Sequence, residues 1–330
     1  MRIVEPSVEI MRTGLESEMI LPEQFVEKVG RTCYKSEDKI TDDSAAKFVG
    51  NLISRGHEAM IEHWNLIFKT DVFTYIKITN DWNKLLHDGE IPVRERLRPY
   101  LRFTSGSRSF ISGNMRAWRD YAKACVQVFG NLPQYMYGMV RNYPLFFPEY
   151  QDYVPPVIVN DILMPVEVSE LSDSERRVHQ DVTVKFVCDR GVSHEIVRHR
   201  VASFAQESTR YCNYGLDKFG NEITVVRPSW CKEGDDAYGK WNQGCYDAEV
   251  AYFQLINGGR TPQEARSVLP NSTKTEIIVT MNLDGWDHFF GLRCATTAHP
   301  DMREVALMAQ SLFGEKVYGY LDEMVSEVEE

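Results

Sequence analysis

Residues 23–34, EQFVEKVGRTCY, carry apolar side chains at helical spacing and predict a helix. Residues 44–55, SAAKFVGNLISR, predict a second, with Gly56 just past its end as a stop. GHEAMIEHWNLIFKTDVFTYIKIT then passes from helix-like spacing into β-branched and aromatic residues, which predicts one or two strands. LRFTSGSRSFISGN reads as a strand ending at Asn114, and MRAWRDYAKACVQVF as a helix with Asn114 as its N-cap. Residues 130–180 are the least regular part, interrupted by six prolines from Pro133 to Pro165, and read as an elaboration on the surface. Beyond them DVTVKFVCD predicts a strand, GVSHEIVRHRVASF a helix, NEITVVRPS a strand and AEVAYFQLING a helix ended by Gly258-Gly259. TPQEARSVLP has Thr261 as cap, Pro262 at the first helical position and Glu264 three residues after the cap, a strong helix start. KTEIIVTMN predicts a strand, LDGWDHFFGLR a helix, and the segment from His299 onward one or two more. FISGNMRAW and IVTMNLDGW share a strand–Asn–helix–Trp layout, too short to count as a repeat. The whole pattern predicts the α+β class.

Composition narrows the function. The chain has 330 residues, 43% hydrophobic and 26% charged, with a net charge of −11. That balance argues against a general nucleic-acid binder, because phosphate backbones reward a basic surface. Seven cysteines stand singly without a C-x-x-C pair, which points to free thiols in a reducing compartment rather than disulfides or zinc. MRIVEPSVEIMRTG lacks a long apolar run and there is no apolar stretch of membrane-spanning length, so the expectation is a cytoplasmic globular protein without a metal.

Within this acidic chain, VRHRVASFAQESTRY concentrates Arg198, His199, Arg200 and Arg210 with the hydroxyls of Ser203, Ser208 and Thr209. Arg-His-Arg alone is what a solvated helix face carries, with Glu195 placed to pair with Arg198 and His199. The added hydroxyls, the second guanidinium, and Phe204 and Tyr211 as stacking rings favour phosphate-bearing ligands instead. Arg266 and Arg293 are lone cations of apolar segments elsewhere. His57 and His63 in GHEAMIEHW have the wrong spacing for H-E-x-x-H, and no Gly-rich dinucleotide or P-loop is present.

RHRVASFAQES fits the pattern R-H-R, seven residues, S, and continues into TRY; GRTCY, GHEAMIEHW, EARSVLP, VTMN and FGLR accompany it in order. In these motifs the chain resembles the flavin-dependent thymidylate synthases over residues 23–69 and 182–313, with residues 70–181 as an insertion. The resemblance implies an α+β fold with a mixed sheet and packed helices, in a single large domain. It implies reductive methylation of dUMP to dTMP, with methylenetetrahydrofolate as carbon donor and NADPH as reductant through FAD, in a homotetramer whose sites lie at subunit interfaces. Arg293 is implied as the catalytic side chain beside the pyrimidine. Glu195, Arg198, Gln206, Glu207, Ser208, Thr209, Arg210, Arg266 and Arg293 are implied to hold dUMP. Ala59, Arg198, His199, Arg200, Gln206, Asn282, Leu283, Asp284 and His288 are implied to hold FAD. The chain departs from the family's usual residues at Ala59, Glu195, Ala205-Gln206 and Thr297. Two other readings are a non-catalytic nucleotide or single-stranded RNA binder, and a related flavoprotein without folate chemistry.

Overall fold

The computed structural model describes residues 1–16, 20–88, 100–155, 163–210, 212–216 and 220–318; Tyr211 and parts of the 70–181 segment lie outside them. The elements in chain order are β1 (Arg2–Val4), β2 (Ser7–Arg12), α1 (Pro22–Tyr34), α2 (Ser44–Ser54), β3 (Asn65–Thr70), α3 (Val72–Asp88), β4 (Leu101–Thr104), β5 (Ser109–Asn114) and α4 (Met115–Phe129). They continue as α5 (Tyr137–Asn142), β6 (Met164–Pro165), α6 (Asp173–His179), β7 (Asp181–Asp189), α7 (Arg190–Ile196), β8 (Ser203–Gln206) and β9 (Thr224–Val226). The last are α8 (Asp236–Asn257), α9 (Pro262–Ala265), β10 (Lys274–Asn282), α10 (Leu283–Arg293) and α11 (Pro300–Phe313). This is the α+β class that the pattern implies. No described helix is long and apolar enough to cross a membrane.

Two antiparallel sheets position the site. The first has the order β2-β7-β10-β8, and its centre is a nine-residue pairing that sets Lys274 opposite Asp189 and Asn282 opposite Asp181. The second has the order β4-β5-β3-β6 and ends its central pair at Asn65 opposite Asn114. A parallel pair, β1 with β9, completes the strands. Val182, Val184, Phe186, Ile277 and Val279 of the first sheet bury one face against Trp286, Phe289, Met302 and Phe313 of α10 and α11. The second sheet packs Phe68 and Ile111 against Trp118 and Tyr121 of α4, in a core that α1 and α2 share through Val26, Val49 and Leu52.

Five local expectations need correcting. VFTYIKIT is helix, not strand, because the Asp71 carboxylate accepts from the Thr74 N–H (2.9 Å) and hydroxyl (2.8 Å) and starts a helix. Ile78 and Leu85 of that helix, 1% and 4% exposed, repeat at helical spacing and bury against the core, outweighing β-branched propensity. Residues 130–180 are no surface elaboration: Tyr135, Met136, Met139, Val140, Phe146 and Phe147 are all buried. The helix expected through residue 204 ends at Ile196, since Ser203–Gln206 pairs with Thr280–Ile277 as an edge strand. Arg198, His199 and Arg200 therefore sit in the connection, not on a helix face. LRFTSGSRSFISGN, expected as one strand, is two: β4 and β5 pair antiparallel across the turn between them. The two N-terminal strands had not been expected at all.

Candidate active site

The site is built where the two sheets meet. Asn282 ends β10 and caps α10, its side-chain oxygen accepting from the Gly285 N–H at 3.1 Å while its amide donates to the Val178 carbonyl at 3.2 Å. Asn114 ends β5 and caps α4 in the same way, accepting from Ala117 at 2.8 Å. Both asparagines line one cavity of about 350 Å³, so the strand–Asn–helix–Trp layout seen twice in the sequence describes two walls of one pocket. Arg102 of β4 joins the two sheets. Its guanidinium grips the Asp181 carboxylate with two bonds (2.5 and 3.0 Å) and donates to Asn65 Oδ1 (2.9 Å) and the Val178 carbonyl (2.9 Å).

Of the residues implied to hold flavin, Arg200, Asn282, Asp284 and His288 line this cavity. Arg200 and His288 are exposed, and Asp284 pairs with Arg177 at 2.9 Å. Leu283 is 2% exposed and its side chain belongs to the core below. Ala59 lies exposed on the 3-10 helix Glu58–His63 and is not part of the cavity wall. Arg198 is exposed in the connection before the cavity.

Next to the pocket, Arg293 at the end of α10 donates from Nε to His199 Nε2 (2.8 Å), from Nη1 to Glu195 Oε2 (2.6 Å) and from Nη2 to the Glu195 carbonyl (3.0 Å). A guanidinium has five N–H donors, so two remain for a ligand. Because Arg293 donates to Nε2, His199 must carry its proton on Nδ1. Burial, then Arg293 and His288, push the His199 pKa down to about 4. The imidazole is thereby a neutral prop for a fixed cation.

The remaining implied dUMP residues form a second cluster at the other end of β8. Arg210 Nε donates to Gln263 Oε1 and Arg266 Nη1 to Thr209 Oγ1, both at 3.3 Å, so residues 209–210 are tied to α9 and its 3-10 continuation, which carries Arg266; both arginines are exposed. The Ser208 N–H is held by the Cys33 carbonyl at 3.0 Å. Gln206 donates to Ser193 Oγ (2.9 Å) and Thr275 Oγ1 (3.2 Å). Glu207 is buried and paired with Lys274 at 2.9 Å and Lys35 at 3.9 Å. Burial opposes ionisation of the neighbouring Glu276, but Lys274 and Lys35 hold it down to about 2. These carboxylates neutralise Lys274 and Lys35, while Arg210 and Arg266 are exposed. Ser203 lines the pocket, and Ser208 is five residues on, at most about 18 Å away along the chain.

Sequence reasoning missed Tyr100, Arg102, Asn114 and Asp181, which also line the cavity. It gave GHEAMIEHW a role through Ala59 alone. There Glu62 accepts from Ser203 Oγ at 3.0 Å and from Arg116 at 2.5 Å, tying α4 to the Arg-His-Arg connection.

Three histidines around these sheets are held neutral. Burial pushes His63 down to about 3 and, with Arg102 adding to it, His179 down to about 4, beside His199 at about 4. Their unfolded value near 6.5 lies above the folded ones, so the unfolded chain binds more protons between those values. Stability is therefore expected to be full above pH 6.5 and to fall as pH drops towards 4. Thermal melting from pH 7.5 to 4.5 checks this: a melting temperature unchanged over that window contradicts it, and His199→Gln should flatten the fall.

The chain's similarities fall on this site. Residues 176–317 match the family model described as thymidylate synthase complementing protein. Over 119 residues the chain is 43% identical to the flavin-dependent thymidylate synthase of Pyrococcus furiosus, covering 36% of this chain and 48% of that protein. The flavin-dependent thymidylate synthase of Geobacter sulfurreducens is 39% identical over 118 residues, covering 36% of this chain and 49% of that one. The chain thus spans about half the length of the curated relatives it matches (48% of the first). A crystal structure of a UMP/dUMP methylase PolB from Streptomyces cacaoi bound with 5-Br dUMP is similar at a TM-score of 0.36 and 22% identity, covering 45% of this chain and 70% of that chain.

Proposed function

We propose that this chain methylates dUMP reductively to dTMP, with methylenetetrahydrofolate supplying the carbon and NADPH the reducing equivalents through FAD. The observation that carries the reading is Arg293, pinned by neutral His199 and by Glu195 with two N–H donors left over, in the segment that matches the family model. A guanidinium held this way presents a fixed positive charge where charge develops on a pyrimidine carbonyl or N3, without reorganisation.

The residues present fit a flavin. Arg200 offers a cation for its phosphates, two helices begin at the cavity through capped asparagines, and His288 and Tyr100 give flat, partly polar walls. When bound, FAD supplies the hydride chemistry. The chain binds and orients: Arg210 and Arg266, with the Ser208 hydroxyl beside them, hold the nucleotide phosphate, the Ser208 N–H being already taken by the Cys33 carbonyl, and Asn282 holds its own position through its cap. Buried thiols need take no part, and Cys188 at the sheet centre is pushed well up by burial. The reading includes one domain over residues 1–330 with an insertion near 70–181, a homotetramer with shared sites, and a cytoplasmic setting.

Flavin uptake tests it. Purified protein mixed with FAD and passed through a desalting column should emerge yellow, and dUMP should compete for nucleotide binding where CMP does not. Colourless protein with salt-sensitive affinity for single-stranded RNA would instead support the RNA-binding alternative.

A further inference from the structure

The cavity is not made by the matched segment alone. Tyr100, Arg102 and Asn114 come from outside residues 176–317: Arg102 and Asn114 from the second sheet and Tyr100 from the turn just before β4. Tyr100 is the only Phe, Tyr or Trp among the described residues lining it. The two residues that follow it are anchored: Leu101 is 3% exposed in the core, and Arg102 is locked on Asp181 and Asn65. The Arg200 connection, which lines the same cavity, is tied through Ser203 and Glu62 to Arg116 of α4. The phenol is half-buried; burial first, and then Glu62, raise its pKa against the pull of Arg116 and Arg200. It stays neutral, a flat and partly apolar surface between these charges.

Resting on the flavin reading above, we propose that Tyr100, at the entry to β4 of the second sheet, is the wall against which the planar flavin ring packs. Flavin retention in this chain then depends on a residue that the family-matched segment does not contain. A ring whose next two residues are anchored in the core and in an ion pair is better positioned before the ligand arrives, which lowers the ordering cost of binding.

Flavin affinity of the full chain, read by quenching of FAD fluorescence, tests this with Tyr100→Ala, Tyr100→Leu and Tyr100→Phe. Phe73→Ala, on a residue 85% exposed on α3, serves as a control. Removing the ring in Tyr100→Ala should weaken FAD binding about tenfold, while Tyr100→Phe stays within about twofold. Tyr100→Leu keeps apolar bulk without a ring and should weaken binding similarly, so it carries the result should the alanine variant melt early. Wild-type affinity in Tyr100→Ala and Tyr100→Leu overturns the inference alone. A wild-type protein that binds no flavin overturns the functional reading and the inference with it.

Discussion

Replacing Arg293 by alanine is expected to lower dTMP formation by about a hundredfold to a thousandfold, the cost of removing one fixed charge-stabilising group. FAD should remain bound, because Arg293 is not among the residues lining the cavity around Arg200, Asn282 and His288. The loss should appear in kcat more than in KM for dUMP, since the guanidinium is asked to act on charge that develops during reaction. Arg293→Lys should recover little: one ammonium cannot hold His199 Nε2 and the Glu195 carboxylate together and still point at a ring. Removing the arginine also leaves the Glu195 carboxylate without its partner at 2.6 Å, so a thermal melt should accompany the kinetics. Steady-state assays of the variant against wild type decide it, and an unchanged kcat would remove Arg293 from the chemistry.

Arg102→Ala is expected to destabilise the fold by about 3–5 kcal/mol, because it strands a carboxylate that is out of water. Asp181 is 8% exposed and meets Arg102 through two bonds, with Asn65 and Val178 completing the guanidinium's partners. The pair joins the second sheet to the first at the floor of the pocket, so flavin binding should weaken together with stability. Replacing both members, as Arg102→Met with Asp181→Leu, should restore much of the stability, since a well-packed apolar pair avoids the desolvation cost. Urea unfolding of the single and double variants measures both effects. A single variant as stable as wild type would mean that the two sheets are not joined here.

What the sequence disclosed is what local chemistry governs. The asparagine caps at Asn114 and Asn282 and the strands 181–189 and 274–282 follow from neighbouring residues, and the structure has them in place. The Arg-His-Arg connection was misplaced onto a helix because VRHRVASF has no breaker; only pairing of Ser203–Gln206 with a strand more than seventy residues away ends the helix early. VFTYIKIT misled for the opposite reason, its local propensity yielding to burial of one face and to Asp71. Arg200, Asn282, Asp284 and His288 on one side of the pocket stood in motifs of the sequence, whereas Tyr100 and the Arg102–Asp181 pair, 79 residues apart, carry no local pattern. The shared strand–Asn–helix–Trp layout was the one signal that linked the two sides.

The measurement that bears most directly on the account is anaerobic: protein loaded with FAD and reduced by NADPH, in the presence of dUMP, receives methylenetetrahydrofolate, and the nucleotide products are separated. The account predicts that dUMP speeds the bleaching of the flavin, that the folate restores its colour, and that dTMP forms. Flavin that reduces and reoxidises while dUMP is recovered unchanged would contradict it.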